Sequence, residues 1–413
     1  MEHNFRFGSY LVIPLRFEGD QAAVAPGLEP QPMTTLDLTE NVKAMLSGSG
    51  ESAIGRCARV PAQTLRRCLT EDDATPLTVQ DSTGRRSFDI CPSYLYVFRT
   101  QAAFLCLGIR YDRMETVNSL CSPGMAQSEG VVLQGDRVID LEGCLTKLLG
   151  TWGLHKFFDT DARLLLDAFV VTLGLSDTYF PTTDEIDRLT FCLHQMLPPD
   201  STLVDNAEED LRYVYAVKNE ERNAYRWGCC VASQRVSYVI ANPDLDFDGE
   251  MRDLAADALP MVLLMLNQRF TCLRFSQLMA QHHKLFHAQH LRRLQDTMLH
   301  FQAFGTVATA NVSRWHNIKQ IYHHLITVND IPAAVEDVSV KLSILAARQD
   351  ALEDRRTARV SSIITVFGLV SILDSALSIA QSLQSGDPLL YECTKLTGVL
   401  LVLLLLPALL RRK

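Results

Sequence analysis

Residues 360–383 read VSSIITVFGLVSILDSALSIAQSL, a run of 24 residues in which Asp374 is the only charged side chain. A helix of this length covers a hydrocarbon core of about 30 Å. A second apolar run, LTGVLLVLLLLPALL (residues 396–410), follows closely and covers about 22 Å by itself. It reaches across a bilayer if the helix begins near Tyr391 and Lys395 extends to the interface. The sequence therefore predicts two transmembrane helices, at about 360–383 and 391–410.

The charges around this hairpin predict its orientation, because basic residues favour the cytosolic side. They are Arg355, Arg356 and Arg359 before the hairpin, Arg411, Arg412 and Lys413 after it, and Asp387 and Glu392 between its helices. We therefore expect an integral protein of a bacterial inner (plasma) membrane with both termini in the cytosol. The alternative is a tail anchor made of residues 396–410 alone, with 360–383 as a buried helix of a soluble domain.

Small and hydroxyl side chains form an ordered stripe along the first apolar run. Its members are Ser361, Gly368, Ser375 and Ser382 at intervals of seven, with Thr365, Ser371 and Ser378 on neighbouring turns. A helix that faces only lipid has no use for such a stripe. It predicts either a pore lined by hydroxyl groups or a face on which helices pack closely.

Asp374 favours the pore over the packing face. An ionisable side chain inside a membrane helix usually faces a polar cavity or a partner. In a symmetric oligomer, Asp374 would form a ring of carboxylates that attracts cations. The alternative is that Asp374 lies at the outer interface and is solvated.

The rest of the chain reads as a water-soluble protein. The net charge of -9 disfavours nucleic-acid binding, which needs clustered Lys and Arg. The eleven cysteines include no CxxC pair, which favours free thiols in a reducing compartment. Residues 1–30 carry no signal-peptide pattern, so we expect this part to stay in the cytosol.

The first 250 residues alternate strand and helix patterns, typical of a mixed α and β domain. The predicted strands are 5–17, 93–100, 102–111, 211–217, 224–232 and 237–241, and the predicted helices are 139–152, 162–173 and 183–196. The last three strands are separated by short polar turns and predict an antiparallel meander.

From about Asp248 the pattern becomes almost wholly helical, with breaks at Gly305 and at residues 329–332. A helix from Ala333 to about Leu383 would be roughly 75 Å long. Its apolar residues follow alternating spacings of three and four from Val335 to Leu352, which is the pattern of a helix packed along a partner. A rod of this kind implies bundling or oligomerisation.

Histidines provide the clearest metal-binding hypothesis. His283, His287 and His290 share one face of a predicted helix at spacings of four and three, which suits a transition metal. No Asp, Glu or Cys completes the set, so a solvated polar face is the alternative. The sequence carries no GxxxxGK[ST], GxSxG, HExxH or GxGxxG motif and no recognisable catalytic triad, so we expect no enzymatic activity.

Three segments resemble the CorA superfamily of divalent cation channels. Residues 261–269 (MVLLMLNQR) and 291–296 (LRRLQD) are similar to its stalk helices, and residues 353–360 (EDRRTARV) to the segment before its first membrane helix. The Gly-Met-Asn signature of the family is absent, because the corresponding region reads SIAQSLQSGD (residues 378–387). Magnesium selectivity therefore does not carry over with the resemblance.

The resemblance implies a homopentameric funnel with an α+β cytosolic domain (1–250), a long helical stalk (251–358) and a transmembrane hairpin with a basic tail (359–413). It implies metal ion transport through an axial pore, with Ser361, Thr365, Gly368, Asp374, Ser375 and Ser382 as our candidate lining. No cofactor is required, and a divalent cation is the expected permeant or regulatory ion. The alternative is a membrane-anchored sensor or effector, in which a ligand or partner of the cytosolic domain opens an unselective pore.

Overall fold

The computed structural model describes residues 4–35, 37–48, 53–69, 76–82, 84–121, 131–158, 163–166, 168–201, 211–282 and 288–385. The chain divides into two compact units, Met1–Val340 and Lys341–Lys413. The first unit contains all the strands of the described residues, and the described part of the second unit is helical. The domain boundaries predicted at residues 250 and 358 stay predictions.

The described residues of the first unit form one mixed sheet of 13 strands. The strands are β1 (Phe5–Arg16), β2 (Gly55–Val60), β3 (Leu77–Asp81), β4 (Gly84–Ile90), β5 (Ser93–Phe98), β6 (Ala102–Tyr111), β7 (Val131–Gln134), β8 (Arg137–Ile139), β9 (His155–Lys156), β10 (Phe169–Ser176), β11 (Arg212–Tyr215), β12 (Trp227–Val231) and β13 (Arg235–Ala241). The main order is β11-β12-β13-β10-β1-β6-β4-β3-β7-β8. Strands β10 and β13 pair in parallel, whereas all the other described pairs are antiparallel.

Helices follow and interrupt the strands. They are α1 (Glu40–Met45), α2 (Ala62–Leu69), α3 (Glu115–Cys121), α4 (Leu141–Thr151), α5 (Thr183–His194), α6 (Phe247–Asp253), α7 (Leu259–His282), α8 (Ala288–His300), α9 (Thr309–Val312), α10 (His316–Val328) and α11 (Ile331–Ser385). A π-helical turn at Leu254–Ala258 joins α6 to α7.

Both faces of the sheet are covered, so its central strand β1 is buried from Phe7 to Leu15. Alternate side chains of a strand point to opposite faces. Leu11 and Ile13 therefore belong to the core under α2, α3, α4 and α5. Tyr10 and Val12 belong to the core under α1, α6, α7 and α10. The result is a three-layer arrangement with helices on each side of the sheet.

Most of the predicted elements are present, but the helix predicted at residues 162–173 is wrong. Residues Phe169–Ser176 form β10, and all eight are buried. The segment FVVTLGLS is apolar on both faces because it lies between β1 and β13 under both helical layers. A strand buried on both faces loses the alternation that marks a strand, so periodicity cannot separate it from a buried helix.

The predicted transmembrane hairpin requires a correction. None of the helices in the described part of the chain has both the length and the apolar character that a membrane crossing requires. The first predicted span, 360–383, is the end of α11, where seven Ser or Thr hydroxyls and Asp374 interrupt the apolar residues. The second, 391–410, lies outside the described residues. The predictions of two transmembrane helices and of an integral inner-membrane protein are therefore wrong for the described chain.

Gly228 shows how closely α5 packs on the sheet, and it provides a stability prediction. A β-carbon at Gly228 would lie 2.2 Å from Cγ2 of Ile186, a residue of α5 that is fully buried. Because Ile186 has no free space to move into, we expect Gly228→Ala to lower the free energy of unfolding by about 1–3 kcal/mol. Urea denaturation measures this change.

The matched control is Gly150→Ala on α4, where an added β-carbon meets nothing within 4 Å. Alanine favours a helix over glycine, so this variant is expected to keep or gain up to about 1 kcal/mol. Equal effects at the two positions would show that the close packing at Gly228 is unimportant for stability.

Candidate functional site

The predicted pore residues lie along α11 in the second unit. The Thr365 hydroxyl donates to the Ser361 carbonyl oxygen at 2.7 Å, and the Ser375 hydroxyl donates to the Ser371 carbonyl oxygen at 2.8 Å. Two of the stripe's hydroxyls are therefore bonded to the backbone of their own helix. Gly368 lies on the same helix, whereas the side chains of Asp374 and Ser382 are outside the described residues. The role of this stripe stays a prediction.

The predicted histidine site falls mostly outside the described chain. His283 and His287 lie beyond the described residues, and of His290 only the helical backbone of α8 is described. Among the described side chains, no group of three or more His, Cys, Asp or Glu is arranged to hold a metal ion. The metal site at His283, His287 and His290 stays a prediction.

A site that sequence reasoning missed lies between the sheet and its helices in the first unit. It is a cavity of about 380 Å³ bounded by β12, β13, α6, the π-helical turn and the start of α10. We call it the acidic cavity, because its lining includes the carboxylates of Asp37, Glu250, Asp253 and Asp257, against one basic side chain, Arg226.

The two walls of the acidic cavity are set by regular spacings. On the sheet side, Trp227 pairs with Ile240, and Tyr238 stands two residues further along β13 on the same face. On the helix side, Glu250, Asp253 and Asp257 recur at intervals of three and four and so share one face. This carboxylate spacing is the sequence signal that identifies the helical wall. Asp257 lies in the π-helical turn, a deviation often found at functional sites.

One of the four carboxylates is already paired. Glu250 accepts a hydrogen bond from Asn242 Nδ2 at 2.8 Å and lies 3.8 Å from an Arg226 guanidinium nitrogen. No basic side chain of the described chain forms an ion pair with Asp37, Asp253 or Asp257. The cavity therefore holds uncompensated negative charge.

Asp257 has a perturbed pKa. Burial, together with the nearby carboxylates of Asp37 and Asp253, raises this pKa to about 6, against a hydrogen bond donated by the Thr35 hydroxyl. The same Thr35 oxygen accepts the Asp37 backbone N–H at 3.1 Å, which fixes the segment before α1 against the cavity. A buried acid with a perturbed pKa in a cavity is a typical functional residue.

Aromatic side chains complete the lining. Trp315 lies directly before α10 and is 48 % exposed, while Trp227 is half-buried. Tyr238 is only 8 % exposed and lines the same cavity. The acidic cavity therefore combines aromatic side chains with carboxylates that no basic side chain of the described chain pairs.

A second cavity, of about 290 Å³, lacks these properties. It surrounds Asp89, which forms ion pairs with Arg66 and, at 3.0 Å, with Arg110. Its central carboxylate is thus neutralised by the protein itself. The contrast supports the acidic cavity as the candidate site.

Comparisons with known proteins add no further assignment. The resemblance to the CorA superfamily, drawn from three segments, stays a prediction. Searches of this chain against protein-family models, curated proteins and solved structures find no match.

Proposed function

We propose that the first unit is a ligand-binding domain that recognises a small organic cation in the acidic cavity, as a sensor does. The observation that carries the proposal is that three aspartates without an ion pair among the described residues, Asp37, Asp253 and Asp257, line one cavity together with aromatic side chains. A bound cation would compensate the carboxylates.

The lining favours an organic cation over a metal ion. The face of Trp227 attracts cations whose charge is spread over carbon-bound groups, such as alkylated ammonium, and the Trp315 ring already holds the Arg314 guanidinium 5.0 Å from its centroid. A metal ion instead requires several oxygen or nitrogen ligands at fixed distances, and the described side chains provide no such group. A volume of about 380 Å³ also falls within the range of small-molecule sites.

The proposed ligand-binding role agrees with the sensor alternative that the sequence predicts, but it does not require a membrane anchor. Cation transport through an axial pore stays a prediction, and it depended on helices that the described chain does not provide. The homopentamer implied by the resemblance also stays a prediction. The ligand-binding role needs neither, since every residue that supports it lies in the first unit.

Titration with choline tests the proposal, because its uncharged carbon isostere, dimethylbutanol, has nearly the same shape. Two of the three tryptophans of the chain line the cavity, so intrinsic fluorescence reports occupancy. We expect choline to change the fluorescence saturably and to bind at least about tenfold more tightly than dimethylbutanol. Equal affinity for the two probes, or no response to choline and other alkylammonium ions, would refute organic-cation recognition.

The proposal also predicts a pH dependence with a definite sign. Choline keeps its charge at every pH, so a change in affinity must come from the protein. The pKa of Asp257 is about 6 in the free protein. A cation binds the carboxylate and not the acid, so affinity should fall by up to about tenfold for each pH unit below this value and level off above it. Fluorescence titrations between about pH 5 and pH 8 measure this dependence. Affinity that rises on acidification would contradict a role for the Asp257 carboxylate.

A further inference from the structure

Two cysteines that are distant in sequence lie next to each other on the helical layer formed by α2 to α5. Cys68 belongs to α2 and Cys144 to α4, and the two helices pack together. The Cys68 thiol donates to the carbonyl oxygen of Cys144 at 3.0 Å. The packing of the two helices thus brings the Cys68 thiol against the backbone of Cys144.

These two thiols differ from the other cysteines in exposure. Both are half-buried, whereas every other cysteine in the described part of the chain is buried. A dissolved oxidant therefore reaches Cys68 and Cys144 first. Neither forms a disulfide in the structure, so both are free to react.

We propose that Cys68 and Cys144 are an oxidation site that closes into a disulfide when the protein meets hydrogen peroxide. The thiolate of one cysteine attacks a peroxide oxygen and the O–O bond breaks, which leaves a sulfenic acid and a hydroxide that takes a proton from solvent to become water. The thiolate of the second cysteine then attacks the sulfenic sulfur, so that the S–S bond forms and the S–O bond breaks, and the departing hydroxide takes up a proton as a second water. Peroxide takes up the two electrons that the thiols lose.

The surroundings of Cys68 set the expected rate. Burial and the neighbouring Cys144 raise the pKa of the Cys68 thiol, although the ammonium group of Lys147 opposes this. Since the thiolate is the reactive form, oxidation should be slow at neutral pH and accelerate by up to about tenfold for each added pH unit below that pKa. The site would therefore respond to sustained oxidation and not to brief exposure. Once formed, the bond would join α2 to α4.

Peptide mapping of the wild-type chain tests the proposal without any variant. Trypsin places Cys68 on residues 68–85 and Cys144 on residues 138–147, each without a second cysteine. The reduced chain is treated with peroxide, capped with N-ethylmaleimide and digested without reductant. We expect the two peptides as one linked species, lighter than their sum by two hydrogens, and the buried cysteines as capped thiols after unfolding.

Two variants establish that the link is formed within one molecule. Cys68→Ser and Cys144→Ser should each abolish the linked species, and the remaining cysteine should progress to a sulfinic acid. In the wild type, the yield of the link should not depend on protein concentration. Separate sulfinic acids on the two wild-type peptides, a link that forms only between molecules, or faster oxidation of the buried cysteines would each overturn the proposal.

Discussion

Replacing Asp257 with asparagine is expected to weaken choline binding by about 10- to 100-fold, the range for losing a hydrogen bond or contact to a charged group. Asparagine keeps the shape of the side chain and can still accept the Thr35 hydrogen bond, so the change removes mainly the charge. The residual affinity should no longer change around pH 6, because the group that titrates there is gone. Fluorescence titration of the variant measures both effects.

The same substitution is expected to stabilise the protein at neutral pH. The pKa of Asp257 is raised to about 6 in the folded state, above its ordinary value of 3.8, so the folded state holds this proton more tightly than the unfolded state. The stability due to the protonated acid is therefore complete below the ordinary pKa and lost as the pH rises through about 6. Asp257→Asn should remove that loss, which urea denaturation at acidic and neutral pH detects.

Asp248→Asn is the matched control on the neighbouring helix α6. The side chain of Asp248 is 75 % exposed, 3.6 Å from the Arg110 guanidinium, and does not line the acidic cavity. The Asp248→Asn variant should bind choline with the same affinity, and with the same change of affinity with pH, as the wild type. If Asp257→Asn bound choline as well as Asp248→Asn does, the acidic cavity would not be the binding site.

Replacing Arg86 with methionine is expected to lower the free energy of unfolding by about 3–5 kcal/mol, the range for breaking a buried ion pair. The side chains of Arg86 and Asp81 are only 7 % and 6 % exposed and form an ion pair between β4 and β3. The Ser119 hydroxyl joins them, accepting from Arg86 at 2.8 Å and donating to Asp81. Methionine fills similar volume but leaves the Asp81 carboxylate buried without its cation.

Arg85→Met is the control, one residue away on the same strand. The Arg85 side chain is 41 % exposed and lies 3.7 Å from Asp136, which is fully exposed, so its ion pair is weak. We expect a loss within about 1 kcal/mol. The double variant Asp81→Asn with Arg86→Met should recover part of the stability, since no buried charge remains. Similar losses for Arg85→Met and Arg86→Met would mean that burial of the pair is unimportant.

Local patterns predicted much of the sheet and the helices. Strand β1 matches the predicted strand from Phe5 closely, and the meander of β11, β12 and β13 is confirmed as antiparallel. Helix α5 begins where Thr182 accepts a hydrogen bond from the Glu185 backbone N–H. Alternation and capping depend on residues a few positions apart, so they are readable in one sequence.

The two wrong predictions also have physical causes. Strand β10 was mistaken for a helix because cover on both faces removes the alternation of a strand. The apolar composition of residues 360–383 suggested a membrane span, but composition counts apolar residues without deciding what surrounds them. No helix of the described chain, α11 included, has the length and apolar character that a membrane crossing requires.

The sequence alone was enough for the mixed α and β character of the first unit, for its antiparallel meander and for the long C-terminal helix. The acidic cavity and the Cys68–Cys144 pair were decided by tertiary structure. The cavity joins Asp37, Tyr238, Asp257 and Trp315, which lie far apart in the chain. Strand order and helix packing bring such groups together, and the free energy that selects one packing is distributed over the whole core. No short stretch of sequence therefore carries that information.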